Sequence, residues 1–244
     1  MLYGVFSDVH ANFEAFRMVL DFYKKNKVEH FVCCGDLVGY GPQPQECVQA
    51  LMALKDFCAV LGNHDAAVIG RMDMKWFNPN ALAAIKFARK NLSGASLAFL
   101  SALPEKLEPP GFTLVHGSPR KPLTEYLLGE NQFLNNLDLW KVSPCFVGHT
   151  HMPAYFRQDA AGLPESDFFG PMRRMTAGAG RFMFNPGSVG QPRDSDPRAS
   201  CAVYDTGKKV FEVFRVPYDI EKTRRLINEF KLPAILGERL TSGF

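Results

Sequence analysis

Five apolar runs in this chain end in side chains of the kind that bind metal ions. "LYGVFS" is followed by Asp8, His10 and Asn12, and "HFVCC" by Asp36. "FCAVL" is followed by Asn63, His64 and Asp65, "FTLV" by His116, and "CFVG" by His149 and His151. Five of the six histidines lie at these ends, and only His30 precedes its run. Each residue alone reads better as a satisfied structural group; the joint arrangement favours a metal site. Asp, His and Asn without Cys form an N/O donor set suited to Mn²⁺, Fe or Zn²⁺. Four histidines, two aspartates and an amide exceed the needs of one four-coordinate ion and suffice for two ions sharing a carboxylate. Two ions roughly 3.5–4 Å apart clamp phosphate oxygens for in-line displacement at phosphorus, with the water between them acidified to hydroxide near neutral pH.

Residues so far apart in sequence meet only if the runs are strands whose carboxyl ends open onto one crevice, as in α/β sheets. The runs at 2–7, 30–34 and 57–61 are continuously apolar, which predicts strands covered on both faces in parallel βαβ units. Between them, "NFEAFRMVLDFYKK" (12–25) carries Phe13, Phe16, Leu20 and Tyr23 at the spacing of a helical face, and "PQECVQALMAL" (44–54) forms a second helix. Residues 66–103 read as a helix-rich excursion, either a packing layer or a substrate lid. Further strands are expected at 112–116 and 145–149, with a weak helix near 125–139. The second half is richer in short extended runs, with a hairpin turn at Thr206-Gly207 and a last helix over about 218–231. The tail through Phe244 either packs or frays. No repeat or low-complexity linker interrupts the chain, so one domain over 1–244 is expected, with two sheets and helices outside them.

Composition narrows the function classes. Apolar content of 46% and charged content of 22% are ordinary for a globular protein, and a net charge of +3 gives no reason to expect nucleic acid as an obligatory partner. The N-terminus lacks a basic n-region, and no window reaches the ~18–20 apolar residues that span a bilayer. Six cysteines without C-x-x-C spacing, mostly inside apolar runs, read as reduced buried thiols. Together these features predict a cytoplasmic protein without membrane attachment.

The ordered set "DVH", "GD", "GNHD", "HG" and "GHTH" resembles the signature of the calcineurin-like metallophosphoesterase superfamily. "NPGSVGQPRD" (185–194) is similar to its small bacterial and archaeal branch, the YfcE-like or diadenosine-tetraphosphatase-like proteins. The resemblance implies an α/β fold, a four-layer α/β/β/α sandwich of two mixed sheets with outer helices. It implies a dinuclear centre of divalent or trivalent ions, manganese first, with iron or zinc as alternatives. Asp8, His10, Asp36 and His151 would hold one ion; Asp36, Asn63, His116 and His149 the other, with Asp36 bridging. By the same likeness His64 touches the substrate phosphate and assists the leaving group, and Asp65 orients His64 by accepting from its ring N–H. Asn12 falls where the branch approaches the phosphate, and Ala11 stands where many members carry Gly. Arg120 and Arg193 offer guanidinium forks to phosphate oxygens, against the competing reading of structural ion pairs. The implied reaction is hydrolysis of a phosphomonoester or phosphodiester on a small phosphorylated substrate, nucleotides included. A non-catalytic scaffold of the same fold is the competing class, disfavoured because every ligand and His64 are present. "DFFG" (167–170) offers an apolar homodimer contact.

Overall fold

Apolar continuity in the first quarter of the chain becomes parallel pairing. In the computed structural model, which describes all residues except 160, 171 and 172, β1 (Leu2–Phe6), α1 (Phe13–Lys25), β2 (His30–Cys33), α2 (Pro44–Met52) and β3 (Phe57–Ala59) alternate. β1, β2 and β3 pair in parallel. The helix-rich excursion resolves into α3 (Asn63–Val68), α4 (Pro79–Asn91) and α5 (Gly94–Ala102). Then follow β4 (Lys106–Leu107), β5 (Thr113–Val115), α6 (Glu130–Leu134), β6 (Cys145–Phe146), β7 (Pro153–Gln158) and β8 (Pro164–Phe168). β9 (Arg174–Thr176), β10 (Arg181–Pro186), β11 (Ala199–Asp205), β12 (Val210–Val216), α7 (Ile220–Glu229) and α8 (Ile235–Ser242) complete the chain.

The strands form two six-stranded mixed sheets, ordered β3-β2-β1-β11-β12-β9 and β4-β5-β6-β10-β7-β8. Successive side chains of a strand face opposite sides, and β1 uses both: Val5 enters the core between the sheets, while Phe6 packs with Phe16 and Tyr23 of α1. The inter-sheet core is aromatic, with Phe184 of β10 stacked on Phe211 of β12 at 4.6 Å. Helices flank both sheets: Val48 and Leu51 of α2 lie on the first, and Phe133 of α6 packs with Val115, Phe156 and Met183 on the second.

α1 begins where Asn12 caps it by accepting from the Ala15 N–H, and it ends with Lys24 and Lys25 at its negative pole. Its buried Tyr23 donates one hydroxyl hydrogen to a pair of acceptors, the carbonyls of Val5 at 2.9 Å and Ala202 at 3.1 Å, tying the helix to β1 and β11.

Two expectations are corrected in detail, and the open alternative for the tail is decided. The weak helix near 125–139 shrinks to α6 and a 3₁₀ turn at Leu137–Leu139, because buried Glu125 holds the preceding loop through side-chain bonds. The tail packs: Leu236 and Leu240 of α8 meet Ile227 and Leu232. In "DFFG", Phe169 is buried in the inter-sheet core and only Phe168 is exposed, so the apolar contact face is smaller than the sequence suggested. His30 pairs with Asp56 at 2.6 Å, away from the other histidines. All six cysteines are free, and among the described residues no helix is long and apolar enough to cross a membrane.

Tyr23→Phe removes the hydroxyl and keeps the ring. Urea unfolding is expected to show a loss of about 1 kcal/mol, the usual net worth of a buried hydrogen bond, with metal binding unchanged.

Candidate metal centre

The loops after β1, β2 and β6 adopt an unusual backbone where the polar residues collect. Asp8, His10, Asp36, His149 and His151 all have positive φ, between 47° and 68°. L-residues rarely occupy this region, Asp and His more readily than most, and such strain clusters at functional sites. Backbone bonds hold the first two loops together: Asp8 N–H donates to Gly35 O, His10 N–H to Asp36 O and Ala11 N–H to Leu37 O, each at 3.0 Å. Ala11 has a φ of 52°, so its place in the loop is one a glycine would occupy with less strain.

The convergence expected from the strand ends is complete, and every one of these side chains is buried. In one lobe, Asp8 Oδ1 lies 3.7 Å from His10 Nε2 and 3.4 Å from His151 Nε2. In the other, His116 Nε2 lies 3.0 Å from Asn63 Oδ1 and 3.1 Å from His149 Nδ1. Asp36 Oδ2 sits between them, 3.7 Å from His10 Nε2 and 3.4 Å from His116 Nε2. Its other oxygen accepts from the His64 backbone N–H at 2.8 Å.

The tautomers follow from the outer nitrogens. Nδ1 of His10 donates to Val38 O, that of His116 to Cys34 O, and that of His151 to Gln191 O. Each neutral ring therefore turns an Nε2 lone pair inward. His10 and His151 then face each other lone pair to lone pair at 3.0 Å, which is repulsive unless a cation lies between them. Asp8 Oδ1, buried and without a hydrogen-bond partner, faces the same point. The donor set and its unpartnered atoms fit metal ions, and three overlapping groups can hold one: Asp8–His10–His151, His10–Asp36–His64 and Asp36–His116–His149.

Without an ion, protons take part of that role. Burial opposes a charge on His116, but Asp36 outweighs it and lifts the imidazole to about 9. Asp36, which burial alone would push up, is held well below the usual carboxylate range by His116, His64 and His10. Burial raises Asp8 to about 7, with His116 opposing the rise.

Three expected roles change. Asp65 does not touch the His64 ring. Its carboxylate accepts from the backbone N–H groups of Leu37 at 3.2 Å, Val38 at 3.0 Å and Gly62 at 3.1 Å, clamping the Asp36 loop to the start of α3. His64 is instead placed by packing, against Tyr40 at 4.4 Å, His10 at 4.9 Å and Phe77 at 4.9 Å between ring centroids. Gly39 leaves room for it, since a Cβ there would come within 2.4 Å of His64 Nδ1. Asn12 has no free polar atom for a phosphate: its amide donates to Gly190 O and Tyr218 OH, and its oxygen accepts from Ala15 N and Thr223 OH. Arg120 pairs with Glu125, which also accepts from Ser118 and Asn136, so it anchors a loop and does not face the crevice. Arg193 does reach the site, with its guanidinium bonded to Gln191 Oε1 at 2.9 Å and 5.8 Å from the Tyr40 ring; its Nε has no partner.

The aromatic residues around the centre escaped the sequence reading. Tyr126 stacks on His149 with centroids 3.9 Å apart, and Tyr40, Trp76 and Phe77 line a cavity opening over His64 and Asn63. Tyr40 follows "GDLVG" directly, a signal that was present; Trp76 and Phe77 lie in the excursion, where nothing in the pattern pointed inward. The part of that excursion from Met72 to Ala81 walls the cavity.

Residues 1–209 match the model of the calcineurin-like phosphoesterase superfamily domain. An uncharacterized protein of Methanocaldococcus jannaschii is 35% identical over 250 residues, covering 98% of this chain and 97% of that protein. The crystal structure of a metallophosphoesterase from Sphaerobacter thermophilus superposes with a TM-score of 0.90 at 37% identity, covering 100% of both chains. A hypothetical protein from Pyrococcus horikoshii OT3 shares the fold, with a TM-score of 0.82 at 20% identity over 100% of this chain and 98% of that one.

Two measurements check the geometry. Asp65→Asn places an NH₂ against backbone N–H donors and is expected to cost about 1–3 kcal/mol in chemical unfolding, the range for leaving buried donors unmet. Mn²⁺ at 100 times its dissociation constant is expected to stabilise the fold by about 2.7 kcal/mol, read as a higher melting temperature that EDTA reverses.

Proposed function

Because the chain belongs to the calcineurin-like phosphoesterase superfamily, we propose that it is a phosphohydrolase whose centre takes two metal ions, Mn²⁺ first, with Fe or Zn²⁺ as alternatives. The observation that carries this reading is Asp36, whose Oδ2 faces imidazole nitrogens of both lobes at 3.7 and 3.4 Å. Asp8, His10 and His151 would complete one ion's ligands; Asn63, His116 and His149 the other's. Two bound ions would supply Lewis acidity, neutralising phosphate oxygens and bringing the pKa of a bound water toward neutrality.

The protein's own groups do the rest. Backbone carbonyls of Val38, Cys34 and Gln191 fix three ligand tautomers, so the donors are oriented before any substrate arrives. His64 lines the cavity mouth, and its buried Nδ1 lacks a partner. Burial lowers its pKa to about 4, which keeps the ring neutral, so that its N–H serves a leaving oxygen as a hydrogen-bond donor. Arg193, with its guanidinium 5.8 Å from the centre of the Tyr40 ring, brings a positive charge toward the same crevice. The substrate is a small phosphorylated molecule, a mono- or diester.

The test is a metal-loaded assay on p-nitrophenyl phosphate and bis(p-nitrophenyl) phosphate with metal analysis of each variant. Asp36→Asn is expected to lose metal and turnover together. His64→Ala is expected to keep its metal and lose roughly 10²–10³-fold in turnover, the usual cost of removing one donor aimed at developing charge. Metal-loaded protein that hydrolyses neither ester nor any nucleotide would favour the scaffold reading.

A further inference from the structure

The cavity beside the metal centre is walled unlike the centre itself. Tyr40, Met72, Trp76, Phe77 and Tyr126 supply aromatic and thioether surface, and among the described residues no lysine, arginine or carboxylate lines it. Contiguous exposed apolar surface marks interaction sites, and Trp76, 71% exposed, and Tyr126, 47% exposed, lie together on this one cavity. Tyr126 is also fixed. One ring face lies on His149, and its neighbour Glu125 is locked by Ser118, Arg120 and Asn136. Trp76 closes a 3₁₀ turn capped by Asp73, which accepts from the Lys75 N–H. Hydrogen-bonding capacity in the wall comes from neutral groups: the Asn78 oxygen is spent capping α4, which leaves its NH₂ as a donor.

Resting on the phosphoesterase reading, we propose that this cavity is a subsite for a planar, uncharged ring of the substrate, as in a nucleobase, held by stacking while one phosphate sits at the metal centre. Aromatic walls stack a base through its π-face whatever its edge pattern. A cavity that takes one ring beside one phosphate fits a mononucleotide ester as the preferred substrate. The size agrees. About 160 Å³ is below the ~300–1,000 Å³ that encloses a drug-sized ligand, and it suits one ring system.

The test separates the subsite from the chemistry. Adenosine and ribose, neither of which has a phosphate to lose, are titrated into Mn²⁺-loaded protein by calorimetry or ligand-observed NMR. Adenosine is expected to bind about 10-fold or more tightly, a ratio within the ~5–150-fold that stacking one base confers. The Trp76→Ala/Tyr126→Leu double variant is expected to bring that ratio close to one. In parallel, kcat/KM for the p-nitrophenyl ester of thymidine 5′-monophosphate is expected to exceed that for methyl p-nitrophenyl phosphate by about 10-fold, and the double variant to remove the difference. Equal binding of adenosine and ribose, or an advantage that survives the double variant, overturns the subsite whatever the hydrolysis shows. Preferential adenosine binding without hydrolysis of any ester upholds the subsite and refutes the phosphoesterase reading instead.

Discussion

The structure turns on one buried carboxylate. Asp36 is sealed from water between two groups of imidazoles, with one oxygen held by the His64 backbone N–H and the other facing both lobes. A charge so placed is costly unless cations share its site. The surroundings are arranged to keep it there. The loops that carry Asp8, His10 and Asp36 accept left-handed backbone, and their strain is held by interloop bonds. Asp65 secures the same loop from below through three backbone N–H groups. Burial and the charge on Asp36 push Asp65 up to about 7, so the clamp is itself under electrostatic load.

This division of labour follows the layers. Strand ends fix the candidate metal ligands, and the packed inter-sheet core fixes the strand ends. The loops fix the outer shell: the Tyr40 loop, the stretch around Trp76 and Phe77, and the Glu125-anchored loop bearing Tyr126. α7 and α8 lie beyond the matched family residues, yet Ile227, Leu236 and Leu240 pack in the cluster that supports Tyr40, so the C-terminal helices brace the cavity wall. The candidate metal ligands thus sit at strand ends and the aromatic cavity wall on loops, a common arrangement of loops over a fixed scaffold.

The cluster of candidate metal ligands was legible because each follows an apolar run, and apolar runs predict strands that share an edge. The fold class was legible for the same reason. Side chains that bond to backbone were not. Asp65 reads as a partner for His64 by likeness to the family, but two of the N–H groups it accepts from sit at 37 and 38, and only the folded loop brings them near. Asn12 reads as a phosphate contact until Gly190 and Tyr218, far along the chain, are seen to use its amide. Short or polar strands such as Lys106–Leu107 and Pro164–Phe168 carry too little apolar pattern to be read, and they lie at the two edges of their sheet. Aromatics from residues 72–81 were invisible as site residues because their inward facing depends on how the excursion packs.

The most direct test is anomalous diffraction from crystals of the Mn²⁺-loaded protein. Two peaks about 3.5–4 Å apart are expected on either side of Asp36 Oδ2, one among Asp8, His10 and His151 and the other among Asn63, His116 and His149. A single peak confined to one lobe, or metal bound away from Asp36, would contradict a shared carboxylate as the organising feature of the site.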